Sequence, residues 1–254
     1  MQIAKVPVSR MLGDLEVLFE DNHLLVVNKP ALISTMGGTG QDSSLVDRVK
    51  EYIRQRYAKP GNVYIGVVSR LDSWVTGVIV FARTSKAAAR LNEQFRTRQV
   101  EKKYLAIVAQ LPGAAGDDRP VGIQRDWIRK NESEHRMEIL LQARHVANAK
   151  TDQDLESHGY QLAELESRMI QSNGDRLLLE IELVTGRKHQ IRAQLSARGW
   201  PVVGDRKYGS RVDFATGIAL HSRSLSILHP TSKKRLDIRA NLPGYWPEFA
   251  KKAV

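Results

Sequence analysis

Residues 15–28, LEVLFEDNHLLVVN, set two apolar runs either side of Glu20-Asp21-Asn22. Strand formers around a turn-prone polar triplet predict a hairpin. Lys29-Pro30 closes the second strand, because proline lacks the amide a ladder needs. A glycine-rich loop follows over residues 36–40. It has no lysine at the spacing of a nucleotide P-loop. Residues 43–57 predict a helix with Leu45, Val49, Tyr52 and Ile53 on one face and Asp42 or Ser43 as its cap.

Residues 63–68 and 75–82 read as strands, with Arg70-Leu71-Asp72 between them. Thr84 caps a helix whose core face carries Ala88, Leu91 and Phe95. Residues 100–109 return to a strand. The pattern is weakest over 112–175, where PGAAGDD reads as a loop and only Trp127-Ile128 and residues 137–141 look strand-like. Residues 152–166 carry five acids and no Lys or Arg, and read as a solvated loop or helix. Residues 176–184 alternate as a half-buried strand. Thr185-Gly186 breaks it and a helix runs to about Arg198, stopped by Gly199 and Pro201. GDRKYGS is a loop, 218–230 a strand closed by Pro230, 235–239 a short alternating strand, and NLPGYWPEF a terminal turn. Strands outnumber helices and often follow one another directly. The expected class is α+β, with a central mixed, mostly antiparallel sheet and flanking helices.

The 254 residues are 42% hydrophobic, enough for a substantial core. No run approaches the ~18 apolar residues of a membrane helix, and the first residues lack the apolar segment of a secretory signal. The expected location is the cytoplasm. With no cysteine, disulfides, zinc-thiolate sites and cysteine nucleophiles are excluded. The seven histidines are scattered, so neither a metal nor another cofactor is expected. The net charge of +11 and pI of about 9.9 point to a polyanionic partner, nucleic acid ahead of membrane. The charge is concentrated: residues 187–211 hold seven Lys or Arg and a single acid, Asp205.

A lone carboxylate in an apolar run needs a partner. Asp72 is either half of a structural ion pair with Arg70, or a base or nucleophile held ionised by a cation. Arg187-Lys188-His189-Gln190-Ile191-Arg192 lies at a predicted helix start, which attracts anions. Ile191 faces the core, so Arg192 beside it is partly buried and needs an anion, with Asp72 a candidate. Tyr104, behind Lys102 and Lys103, is either a strand tyrosine with a buried ring or an aromatic platform for a base.

The order RLDSWVTG, KKYLAIV, TGRKHQIRAQL, GDRKYG, with NKP before and LHSRSLSILHP after, resembles the RluA-type pseudouridine synthases. These motifs span residues 28–230. The resemblance implies the pseudouridine synthase fold, an active-site cleft across its sheet, and isomerisation of uridine in ribosomal RNA or tRNA. Uracil is detached from ribose, turned, and rejoined through carbon 5. It makes Asp72 the catalytic carboxylate, acting either by addition to C1′ or by removal of the 2′ proton. It makes Tyr104 the ring that stacks on uracil, Arg192 the arginine that pairs with the Asp, and Arg70 the side chain that fills the space of the flipped nucleotide. Arg187, Lys188, Ile191, Lys102 and Lys103 are the further expected substrate contacts. Base flipping costs a few kcal/mol, which stacking and phosphate contacts offset.

The chain departs from the family at Ser69, where histidine is usual, at Val75-Thr76, where Thr-Ser is usual, and at Lys188, often threonine. Trp74 adds a bulky ring beside Asp72. The resemblance implies one catalytic domain over residues 1–254, without the small N-terminal RNA-binding domain many relatives carry. The expected partner is structured RNA and the expected state a monomer. Two other readings are a non-catalytic RNA-binding ribosome-assembly factor derived from such an enzyme, and a glycosidase pairing Asp72 with Glu101.

Overall fold

The structure is a computed structural model that describes residues 10–12, 15–37, 43–58, 60–112, 119–141 and 151–254. The glycine-rich loop beyond Gly37, the first proposed cap Asp42, and most of PGAAGDD lie outside the described residues. In chain order the elements are β1 (Arg10–Leu12), β2 (Leu15–Glu20), β3 (Leu24–Lys29), α1 (Leu45–Arg56), β4 (Gly66–Val67), β5 (Thr76–Ala82), α2 (Ser85–Arg96), β6 (Glu101–Ala109), β7 (Gly122–Asn131) and β8 (Arg136–Leu140). There follow α3 (Asp152–Ser157), β9 (Gln161–Asn173), β10 (Arg176–Leu183), α4 (Gln190–Ala197), β11 (Leu220–Leu228), β12 (Arg235–Arg239) and α5 (Glu248–Lys252). The class is α+β, as the pattern predicts. The chain packs as two compact units, residues 1–102 with 221–243, and residues 103–220 with 244–254.

In the first unit, β2 and β3 form the expected hairpin. Asp21 Oδ1 accepts from the amides of His23 and Leu24, which makes the turn. β3 pairs antiparallel with β5, and β5 pairs parallel with β11, which carries β12 at its other edge. Every residue of β5 is buried. Val78, Val80 and Ala82 pack on one face with Ala88 and Leu91 of α2. Ile79 and Phe81 pack on the other with Val49 and Ile53 of α1. A helix on each face is why this strand reads as an unbroken apolar run. Each of the valine, leucine, isoleucine and phenylalanine side chains contributes about 1.5–3 kcal/mol of burial.

In the second unit β6 pairs with β10, β10 with β9, β9 with β7 and β7 with β8, all antiparallel. Ile128 and Ala163 on this sheet pack against Ala193 of α4 and Tyr208. Trp127 and Tyr160 pack on Leu155 of α3.

Several boundaries differ from the sequence reading. Ser44, not Asp42 or Ser43, caps α1, in a reciprocal capping box with Asp47. The run 63–68 supplies only the two-residue β4. The acidic stretch and the residues up to Asn173 form α3 and the 13-residue β9. α4 begins at Gln190 because His189 is left-handed, with φ +51°. Arg187 and Lys188 therefore precede the helix rather than opening it. The loop at GDRKYG contains a 3₁₀ turn, Arg206–Tyr208, and the terminal turn ends in α5.

Candidate active site

Asp72 lies in the loop between β4 and β5, not within a strand, and is half-buried. Its own carbonyl accepts from the Val75 amide at 3.1 Å, closing a turn over Ser73-Trp74. The residues on either side of it are pinned. Thr35 Oγ1 donates to the Leu71 carbonyl at 2.8 Å and accepts from the Leu71 amide at 3.1 Å. Lys29 Nζ donates to the Ser73 carbonyl at 3.0 Å. The same ammonium donates to the carbonyls of Pro30 and Ile33, each at 2.8 Å. Three carbonyls thus match the three donors of Lys29, whose side chain is fully buried. Burial pushes its pKa down from 10.5 to about 7, and the charge of Asp72 pulls it back up. Arg70, two residues before Asp72, is exposed.

The backbone beyond Asp72 is equally constrained. Thr76 Oγ1 and His221 Nδ1 are 2.8 Å apart where β5 meets β11. Gly77 follows with φ +112°, and a Cβ there would lie 2.2 Å from the Ser222 carbonyl. Only glycine fits this close parallel approach. His221 is buried and its pKa is pushed down from 6.5 to about 4 by desolvation. The ring is therefore neutral, accepting from Thr76 and donating to the Ala240 carbonyl at 3.3 Å. The altered hydroxyl at Thr76 is thus a structural one.

The second unit holds the other expected residues except Lys102 and Glu101, which belong to the first. Arg192 sits on the buried face of α4 and grips Asp205 at two points, Nε to Oδ2 at 2.6 Å and Nη2 to Oδ1 at 2.9 Å. Both side chains are almost wholly buried, and the guanidinium lies over the Tyr208 ring at 5.0 Å. Tyr208 is held in turn by the Met137 amide and by His189 Nδ1. Ile191 is buried beside Arg192. Tyr104 is buried in β6, opposite Ile181 of β10. Lys103 lies 3.7 Å from Glu180. Burial, with the nearby Arg98, pushes Lys102 down to about 8. Arg187 is half-buried, its Nε donating to the Leu162 carbonyl, and Lys188 is exposed. Glu101, the second acid of the glycosidase reading, pairs with Arg235 at 2.8 Å.

Sequence reasoning assigned no role to Lys29, Thr35 or Asp205. Lys29 stood in the NKP motif and Asp205 in GDRKYG, so both were within quoted stretches. Thr35 carried no signal. Among the described residues there is no cluster of metal-ligating side chains and no helix long and apolar enough to cross a membrane.

A carboxylate on a doubly pinned loop that interacts with a buried cation can act as a base or a nucleophile. Comparison with known proteins gives the class. The profile described as RNA pseudouridylate synthase matches residues 23–197. The ribosomal large subunit pseudouridine synthase D of Zymomonas mobilis is 31% identical over 241 residues, covering 90% of this chain and 69% of that one. The uncharacterized RNA pseudouridine synthase YhcT of Bacillus subtilis is 33% identical over 237 residues, covering 91% and 70%. Among solved structures, human RNA pseudouridylate synthase domain containing 4 shares the fold, with a TM-score of 0.70 at 24% identity over 90% of this chain and 89% of that one. This chain belongs to the RluA-type RNA pseudouridine synthases. It is an isomerase that converts uridine in RNA to pseudouridine.

Proposed function

We propose that the substrate is large-subunit ribosomal RNA and that Asp72 is the catalytic carboxylate. The observation that carries the assignment is the double pinning of the loop at Leu71 and Ser73, which leaves the intervening carboxylate aimed by backbone rather than by a flexible chain. The neighbouring Lys29 supplies an opposite charge that interacts with that carboxylate. Asp72 acts at the ribose of the target uridine while the C1′–N1 bond breaks, and the uracil turns and closes a new bond from C5 to C1′. The C5 proton is then lost to solvent or a base, and the N1 left behind is protonated. Tyr104 is proposed as the ring that holds the uracil, Arg192 as the family arginine of the catalytic carboxylate, and Arg70 as the side chain that occupies the place of the flipped nucleotide. Lys102, Lys103, Arg187 and Lys188 are proposed contacts to the RNA, and Ile191 a contact beside Arg192. The ribosomal assignment rests on relatives named as ribosomal large subunit synthases.

The test is to incubate the protein with unmodified transcripts of large-subunit ribosomal RNA and of tRNA, and to map pseudouridine at nucleotide resolution. New sites in the ribosomal transcript are expected. Sites in tRNA alone would overturn the substrate, and none in either would overturn the activity.

A further inference from the structure

Of the three departures Trp74-Val75-Thr76, two are explained by packing. Val75 and Thr76 are both 2% exposed, one in the core and one bonded to His221. Trp74 is different: it is 49% exposed, while Trp127, Trp200 and Trp246 are all buried. An indole left half in water beside a catalytic loop has no packing reason to be there.

The segment laced to its loop exposes apolar surface too. Lys29 binds the carbonyls of Pro30 and Ile33 and, through the same Nζ, that of Ser73. Thr35 binds Leu71. The segments 30–35 and 71–73 are thus laced together at two points. Between Pro30 and Ile33, Leu32 is held at φ +66°, a conformation costly for a leucine, with 58% of its surface exposed. Met36, next to Thr35, is 53% exposed. Strain that keeps an apolar side chain in water implies something that covers it. Arg70 is exposed in the same loop as Trp74, so one short segment offers both an aromatic ring and a cation. Flat apolar rings alternating with anionic phosphates are the complement of that surface, and stacking on aromatics is how unpaired RNA bases are held.

We propose that Trp74 is a stacking site for a second, unpaired nucleobase of the RNA, next to the target uridine, with Leu32 flanking it. This rests on the reading of Asp72 as the catalytic carboxylate. The site selects single-stranded or loop context around the target and is a specificity-determining contact.

Because Trp74 alone among the four tryptophans is exposed, its emission is obtained by subtracting the spectrum of Trp74→Phe. A transcript carrying the mapped site is titrated into wild-type protein and into Asp72→Asn, and kcat and KM are measured for wild type, Trp74→Ala and Trp74→Phe. Expected results are quenching of the Trp74 component by RNA in both proteins. KM should rise roughly tenfold in Trp74→Ala, with a smaller change in kcat, and Trp74→Phe should restore most of it. RNA that is converted by wild type without changing the Trp74 emission, or an unchanged KM in Trp74→Ala, would overturn the stacking site and leave the activity standing. No conversion by wild type would overturn the activity itself, and the stacking site with it.

Discussion

Lys29 Nζ donates to the Ser73 carbonyl at 3.0 Å, one residue beyond Asp72, from a side chain with no exposed surface. The bond links the end of β3 to the loop that carries the carboxylate. Lys29→Met strands three carbonyls, each at about 1–3 kcal/mol when left buried. The expected outcome is a lower melting temperature and a fall in kcat larger than the change in RNA affinity. The pH dependence is also specific. Unfolded Lys29 keeps its proton up to about 10.5, whereas the folded side chain releases it near 7. Between these values the unfolded state binds more protons, so this residue makes stability rise with pH from about 7 to 10.5. Denaturant unfolding across that range should show a positive slope in wild type that is reduced in Lys29→Met.

Arg192 and Asp205 are a buried, two-point ion pair. Asp205→Asn removes the carboxylate that grips the buried guanidinium at two points, at a cost of about 3–5 kcal/mol. The double variant Arg192→Met with Asp205→Leu should recover most of that stability and no activity. Urea unfolding together with turnover separates the two effects. Recovery of activity in the double variant would remove Arg192 from the site.

His221 predicts an acid limit. Unfolded histidine protonates near 6.5, but the buried ring resists until about 4. Stability should therefore fall as pH drops from about 6.5 towards 4, by on the order of 3 kcal/mol. His221→Gln should flatten that limb in thermal melts at a series of pH values.

RNA affinity should fall steeply with salt, since phosphate neutralisation releases counterions. Lys188→Gln and Lys102→Gln should each reduce the slope of log K against log salt by about 1 if each contacts a phosphate. With Lys102 at about 8, its contribution should also decline from about pH 7 to pH 9.

The hairpin and β5 were legible because their patterns are undiluted: a turn acid between apolar runs, and a strand buried on both faces. β9 was hidden because its inward positions are Ala163, Leu165 and Ser167, interleaved with Glu164, Glu166 and Arg168. The alternation was present, but its small and polar inner side chains made the stretch read as solvated. The start of α4 was misjudged because the turn before it depends on Gln190 Oε1 accepting from the Arg187 amide and the Thr185 hydroxyl. Asp72 stood out as a carboxylate in an apolar run. Lys29 and Thr35 did not, because their partners are backbone groups, some of them in a distant loop, that no side-chain pattern names. Asp205 lies 13 positions from Arg192 and looked like a stray acid in a basic segment.

The most direct measurement is single-turnover conversion of the mapped transcript by Asp72→Asn at saturating enzyme. The carboxamide keeps the size of the side chain and loses its charge, and both flanking backbone pins remain. RNA binding should persist, and pseudouridine formation should drop by roughly 10³-fold or more. Conversion within about tenfold of wild type would contradict the assignment of Asp72 as the catalytic carboxylate.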